Sequence, residues 1–237
     1  MSFAEIYVDE RYSGPPGYAN GGWLAGQLSR LVPGQVSTVS LWRPVPVGEL
    51  LSVRPTTEGA ALSIRGELLA TAAAAEWPPD LAPVEPVRLD EAEWASQSSQ
   101  RHHPFPTCFV CGPERPIGEG LRILPGPLGD DHGFVHAATW KVGDRYDSGQ
   151  GAAVVPAMWA ALDCVGAFPH LDDGQMAVLG RMTARVLEPA WVGETYAVVG
   201  RADGAERRKR FSSTALFDGS GRRVAESHQL WIVLDPA

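Results

Sequence analysis

The 237-residue chain is predicted to be an α+β protein made of two copies of one unit, each a curved antiparallel sheet around a buried helix. A repeated hexapeptide is the first observation. Pro44-Val45-Pro46-Val47-Gly48-Glu49 returns as Pro189-Ala190-Trp191-Val192-Gly193-Glu194, an offset of 145 residues, and the same offset carries Glu58-Gly59-Ala60 onto Asp203-Gly204-Ala205. The second is alternation beside the Gly-Glu turn, with Leu51 and Val53 in one copy and Tyr196 and Val198 in the other. A period of two with a turn between is strand–turn–strand chemistry. The third is a segment upstream of each hexapeptide that is apolar nearly all round, the pattern of a buried helix. Self-similarity at a fixed period marks a duplicated architecture.

Taken in chain order, the first helix candidate is residues 20–28, with Asn20 able to cap it. Val39 and Leu41 precede the first hexapeptide and Leu51 and Val53 follow it, forming two strand arms. Residues 77–106 hold six prolines and a cluster of acids and are expected to be a connector, with a short helix over 89–98. The second helix candidate, 155–163, carries Pro156 in its first turn, where a missing N–H costs nothing. Aligning Trp23 with Trp159 places Gln27 opposite Asp163. A turn near Gly204 and another at residues 218–221 lead to a closing strand over 224–234. The predicted units are 1–76 and 107–237, each a strand, a buried helix and about four further strands.

Composition narrows the function classes. A formal net charge of −8 gives no general affinity for nucleic acid, which needs clustered cations. The start of the chain carries Glu5, Asp9 and Glu10 and does not have the pattern of a signal peptide. The longest apolar stretch, 151–168, is broken by Pro156 and Asp163 and is too short to span a membrane. Three cysteines do not make a disulfide framework, so a reducing cytoplasm is the expected location.

The order and spacing of several segments resemble the acyl-CoA thioesterase II-like group of acyl-CoA thioesterases, whose fold is a tandem (double) hotdog. The resemblance rests on Gly21-Gly22-x-x-x-x-Gln27-Leu28, on Arg43-Pro44 at the end of the next strand, on Asp163 within a buried helix, and on Val224-Ala225-Glu226-Ser227-His228-Gln229. It covers most of both halves and is thin between residues 77 and 130. What it implies is hydrolysis of acyl-CoA thioesters by an Asp, a hydroxyl residue and a Gln. The Asp matches Asp163 and the Gln matches Gln229. The hydroxyl position matches Leu179, and the nearest hydroxyl on the same strand is Thr183, roughly 13 Å further along it. No metal or redox cofactor is implied; coenzyme A enters as part of the substrate. Further association into a homo-oligomer is compatible with it.

Asp163 sits in an apolar segment, where burial would raise its pKa towards the range useful to a general base. The alternative is a carboxylate near the helix end that reaches solvent. Gln229 could hold the same water or bond the carboxylate. Gly21 and Gly22 permit close approach of a substrate to helix N-terminal N–H groups, or tight packing of the helix. Asn20 is either a contact to the thioester oxygen or a cap, and Trp23 a ligand platform or core packing, the second favoured in both cases. With Gln27 at the equivalent place in the first copy, one active site is expected instead of two.

Arg207-Arg208-Lys209-Arg210 is the dense basic run of the chain. On a strand its members alternate faces, so Arg208 and Arg210 would point together, towards coenzyme A phosphates or into solvent. Cys108-Phe109-Val110-Cys111-Gly112 has the spacing of half a zinc knuckle, with His102 and His103 upstream. Cys164 belongs to the buried helix, so a structural turn is favoured over a metal site. His132, His136 and His170 stand in no pattern. Besides hydrolysis, two readings remain: a non-catalytic acyl-thioester-binding protein, and a hydratase or dehydratase, ranked last because the first helix offers no histidine.

Overall fold

In the computed structural model, residues 4–99, 103–129, 134–171 and 175–234 are described. The first half contributes β1 (Ala4–Tyr7), α1 (Gly21–Ser29), β2 (Val36–Leu41), β3 (Leu50–Pro55), β4 (Gly59–Ile64) and β5 (Glu67–Ala74). After α2 (Leu89–Gln97), the second half contributes β6 (Gly126–Pro127), β7 (Val135–Lys141), α3 (Val155–Asp163), β8 (Ala177–Val186), β9 (Thr195–Glu206), β10 (Lys209–Phe217) and β11 (Arg223–Val233). Among the described residues these strands form one sheet in the order β1-β3-β4-β5-β2-β8-β11-β10-β9-β7-β6. The order reads as a mirror about the β2–β8 junction: β5 answers β11, β4 answers β10, β3 answers β9 and β1 answers β7. That junction is antiparallel, from Val36 opposite Arg185 to Ser40 opposite Arg181.

Both long apolar segments are helices, and they lie against each other inside the sheet's curve. Nearly every residue of α3 is buried, as are Gly22, Trp23, Leu24, Ala25, Gly26 and Leu28 of α1. Glycines set their separation. A Cβ on Gly22 would fall 2.5 Å from Asp163 Cβ, and one on Gly26 would fall 2.6 Å from Pro156 Cα. Because Gly22 meets the end of α3 and Gly26 its beginning, the two helices run antiparallel.

The helix register differs from the Trp23–Trp159 alignment. Asn20 N–H donates to Tyr12 O, and Val154 N–H donates to Tyr146 O, so the N-caps correspond at an offset of 134. Glu10-Arg11-Tyr12 and Asp144-Arg145-Tyr146 form matching single 3-10 turns at that offset. Asp163 therefore corresponds to Ser29, and Gln27 to Ala161. The step from 134 to 145 reflects eleven extra residues between α3 and β8, in the segment that carries two further 3-10 turns, Cys164–Gly166 and Phe168–His170.

The connector packs instead of dangling. Helix α2 lays Ala92 and Ala95 on Ala137, Ala197, Val199, Ala215 and Phe217, while Tyr196, Val198 and Leu216 face the main core. Covering β9 and β10 on both faces explains why burial runs unbroken along a stretch of each strand instead of alternating. The turn expected near Gly204 lies further on: β9 continues to Glu206, and Arg207 makes the turn with a left-handed φ of 53°. No helix among the described residues is long and apolar enough to cross a membrane.

Candidate active site

A cavity of about 440 Å³ opens at the N-terminus of α1 and the C-terminus of α3. Leu24, Leu41, Phe168, Leu171 and Leu179 make its apolar wall, and Asn20, Gly21, His103, Asp163 and the three cysteines its polar end. Cavities of this size and character are where small ligands bind.

Asp163 is only 1% exposed and bridges the two units. Its Oδ2 accepts from Asn20 Nδ2 at 2.8 Å and from Gly22 N–H at 2.9 Å. Its Oδ1 has no hydrogen-bond partner among the described residues. Burial pushes the carboxyl up to about 7, against the opposing pull of the Gly22 N–H and the Asn20 amide. Asn20 caps α1, its Oδ1 accepting from Trp23 N–H at 2.9 Å, and its amide donates to Asp163. Gly22 likewise packs the helices and donates to the carboxylate, so its N–H is already engaged. The Gly21 N–H, in the same first turn, has no acceptor among the described residues.

Other expected site residues lie elsewhere. Trp23 stacks on Tyr12 with ring centroids 3.7 Å apart and takes Phe109 edge-on, which makes it core packing. Thr183 Oγ1 meets Thr38 Oγ1 on the β2–β8 junction, outside the cavity wall. Gln229 is buried and fully engaged: its Nε2 donates to Leu162 O at 2.6 Å and Ser227 Oγ at 2.9 Å, and its Oε1 accepts from Trp231 Nε1 at 2.7 Å. It holds the carbonyl just before Asp163 and does not bond the carboxylate. Arg207 and Arg208 form the β9–β10 turn, so the basic run does not alternate along one strand. Lys209 pairs with Ile232, a cavity-lining residue, which brings the turn close to the cavity rim.

Leu179 lines the cavity and closes on Gly21, where a Cβ would come within 2.9 Å of it. His103, noted in the sequence only as lying upstream of the Cys108–Cys111 pair, also lines the cavity. Its Nδ1 accepts from Phe105 N–H at 3.1 Å, and burial lowers its pKa, so the neutral ring carries its proton on Nε2. His102 and His132 fall outside the described residues. Cys164 terminates α3 beside Asp163 and joins Cys108 and Cys111 at the cavity, a meeting that one-dimensional spacing did not reveal.

No protein-family model matches the chain, and no curated protein matches it either. Solved structures do. A protein provisionally described as a thioesterase II from Thermobifida fusca YX superposes with a TM-score of 0.60 at 17% identity, covering 99% of this chain and 93% of its own. The tesB protein of Mycobacterium avium subs paratuberculosis gives 0.58 at 12% identity, covering 98% of this chain and 93% of its own. A hot dog protein of unknown function from Alicyclobacillus acidocaldarius gives 0.54 at 15% identity, covering 99% of this chain and 94% of its own. Matching over the full length, together with the mirrored strand order, establishes that this chain has the double hotdog fold.

Proposed function

We propose that the protein hydrolyses acyl thioesters of coenzyme A at the Asp163 end of the cavity. The observation that carries this reading is the buried Asp163 carboxylate beside the cavity, anchored through Oδ2 by Asn20 and Gly22 with its buried Oδ1 left unpartnered. Oδ1 is the atom that would take a proton from a water attacking the thioester carbonyl. The Gly21 N–H would receive the developing oxyanion, since Gly22 N–H is occupied. Collapse of the tetrahedral intermediate breaks the carbon–sulfur bond. The departing thiolate then recovers the proton from Asp163, giving a carboxylic acid and free coenzyme A. Gln229 is a positioning residue, fixing Leu162 O and with it the end of α3. The apolar wall from Leu24 to Phe168 would house the acyl chain, and Arg208 in the turn near the rim, with Arg210 at the start of β10, would meet the coenzyme A phosphates.

The resemblance expects a hydroxyl where Leu179 stands, and this favours one second reading: a protein that binds acyl thioesters without turning them over. Free-thiol release from acyl-CoAs running from acetyl to palmitoyl separates the two. Chain-length-dependent release supports hydrolysis. Tight binding of a non-hydrolysable acyl-CoA analogue by a folded protein that releases no thiol supports the binder.

A further inference from the structure

The three thiols assemble a feature that thioester hydrolysis does not use. Cys108 and Cys111 come from a tight loop before β6, and Cys164 comes from the end of α3, fifty-six residues after Cys108. All three are buried and reduced, and their Sγ atoms lie within 4.8 Å of one another. The Cys108 and Cys164 sulfurs are 3.9 Å apart. With a zinc–sulfur bond of about 2.3 Å, the edge of a tetrahedral zinc–thiolate site is ~3.8 Å, so this pair already stands at ligand spacing and the third sulfur lies within 4.8 Å of both. A disulfide needs about 2.05 Å between them, so the same positions do not fit a cross-link.

The loop is built to hold this arrangement. Gly112 N–H donates to Cys108 O, and a Cβ on Gly112 would fall 2.5 Å from that same oxygen, so the chain closes behind Cys111 as only glycine permits. Phe109 N–H donates to Ser13 O, while Leu121 and Ile123 N–H groups donate to Phe109 O and Val110 O. The loop is thereby tied to the first unit on one side and to the segment that follows it on the other. His103 is not poised as the fourth ligand, because its neutral ring keeps the proton on the unbonded Nε2. Cys108, Cys111, Cys164 and Asp163 all line the cavity, which leaves the fourth position facing it.

We infer that Cys108, Cys111 and Cys164 bind one zinc ion as thiolates, with the fourth coordination position open to a water or a ligand in the cavity. Thiolate sulfur selects zinc and other soft ions over magnesium or calcium. Three protein ligands with an open position are the arrangement of zinc sites that act on bound molecules, not of purely structural ones.

The test is independent of any hydrolysis. Full-length protein is loaded with zinc, desalted and assayed for metal, and a separate sample takes cobalt in place of zinc for its absorption spectrum. One equivalent of zinc and an intense thiolate-to-cobalt charge-transfer band are expected. Folded Cys111→Ser and Cys164→Ser variants should each lose the zinc and most of that band. Wild-type protein that retains no zinc and shows no charge-transfer band overturns the inference, whatever the variants do. So does a Cys108–Cys111 disulfide found by mass spectrometry in protein purified without oxidant.

Discussion

The Oγ1 atoms of Thr38 and Thr183 meet 2.6 Å apart at the β2–β8 junction, and 145 residues separate them. That separation equals the offset of the repeated hexapeptide, and the two threonines are also directly paired across the strands. A residue that faces its own counterpart lies on the local twofold axis of the duplication. The axis therefore passes between these two hydroxyls, and the single sheet is two half-sheets joined through them. Thr183 thus belongs to the seam between the units and not to the cavity.

Removing either hydroxyl should weaken that seam without touching chemistry. Thr38→Val or Thr183→Val should cost about 1 kcal/mol, the net worth of one hydrogen bond plus the stranding of its partner. The double variant should cost less than the sum of the singles in a denaturation double-mutant cycle. Turnover by folded Thr183→Val should match wild type; a loss of several-fold would return Thr183 to the active site.

Asn20 couples stability to the site. Asn20→Ala removes the α1 cap, which should cost about 0.5–2 kcal/mol of unfolding free energy. It also strips one of the two donors from Asp163, so thiol release should fall together with stability. Calorimetry and rate measured on one preparation test both parts. Full activity in the variant would mean that the Asn20 amide does not orient the carboxylate.

Helix contact distance should be equally sensitive. Gly22→Ala places a methyl where Asp163 Cβ already stands, and overpacking of this kind costs about 1–3 kcal/mol. For a chain of this size each kcal/mol lowers Tm by about 2–4 °C. An unchanged melting curve would show that α1 and α3 are not held at this separation.

Two half-buried histidines should cost the fold stability in acid, while Asp163, its carboxyl pushed up to about 7 by burial, should add stability over the same range. Burial pulls His136 down from 6.5 to about 4 and also lowers His170. Between those values the unfolded chain binds the histidine proton and the folded chain does not, so the histidine contribution falls as pH drops through this window and is fully present above about 6.5. Urea titrations at pH 7 and pH 5 isolate the histidine part as a difference: going to pH 5 should favour His136→Leu relative to wild type. A pH dependence identical in the variant would remove His136 as a source.

Much of the architecture was legible because it rests on local chemistry. The strand–turn–strand hexapeptides, the Asn20 cap, Pro156 in the first turn of α3 and the short helix α2 are each specified by a few neighbouring residues. The helix register was not legible from Trp23 and Trp159, because both pack in a shared core where any large apolar side chain serves. The paired Glu10-Arg11-Tyr12 and Asp144-Arg145-Tyr146 turns carry that register in the sequence. Asp163 was found through the thioesterase resemblance, with the cost of a carboxylate in an apolar helix as support. Cys164 joining Cys108 and Cys111 could not be read, since spacing along a chain does not reveal what a helix end meets across a cavity. Gln229 is a similar case: its strand position was clear, but its saturation by Leu162, Ser227 and Trp231 depends on tertiary packing.

The most direct test of the proposed reaction is free-thiol release by wild type and by Asp163→Asn, each shown to be folded by its melting curve. Loss of a general base predicts a fall of about 10²- to 10⁴-fold in turnover with acyl-CoA binding retained. Equal turnover by the two proteins would contradict the assignment of Asp163 and, with it, the placement of the reaction at the meeting point of α1 and α3.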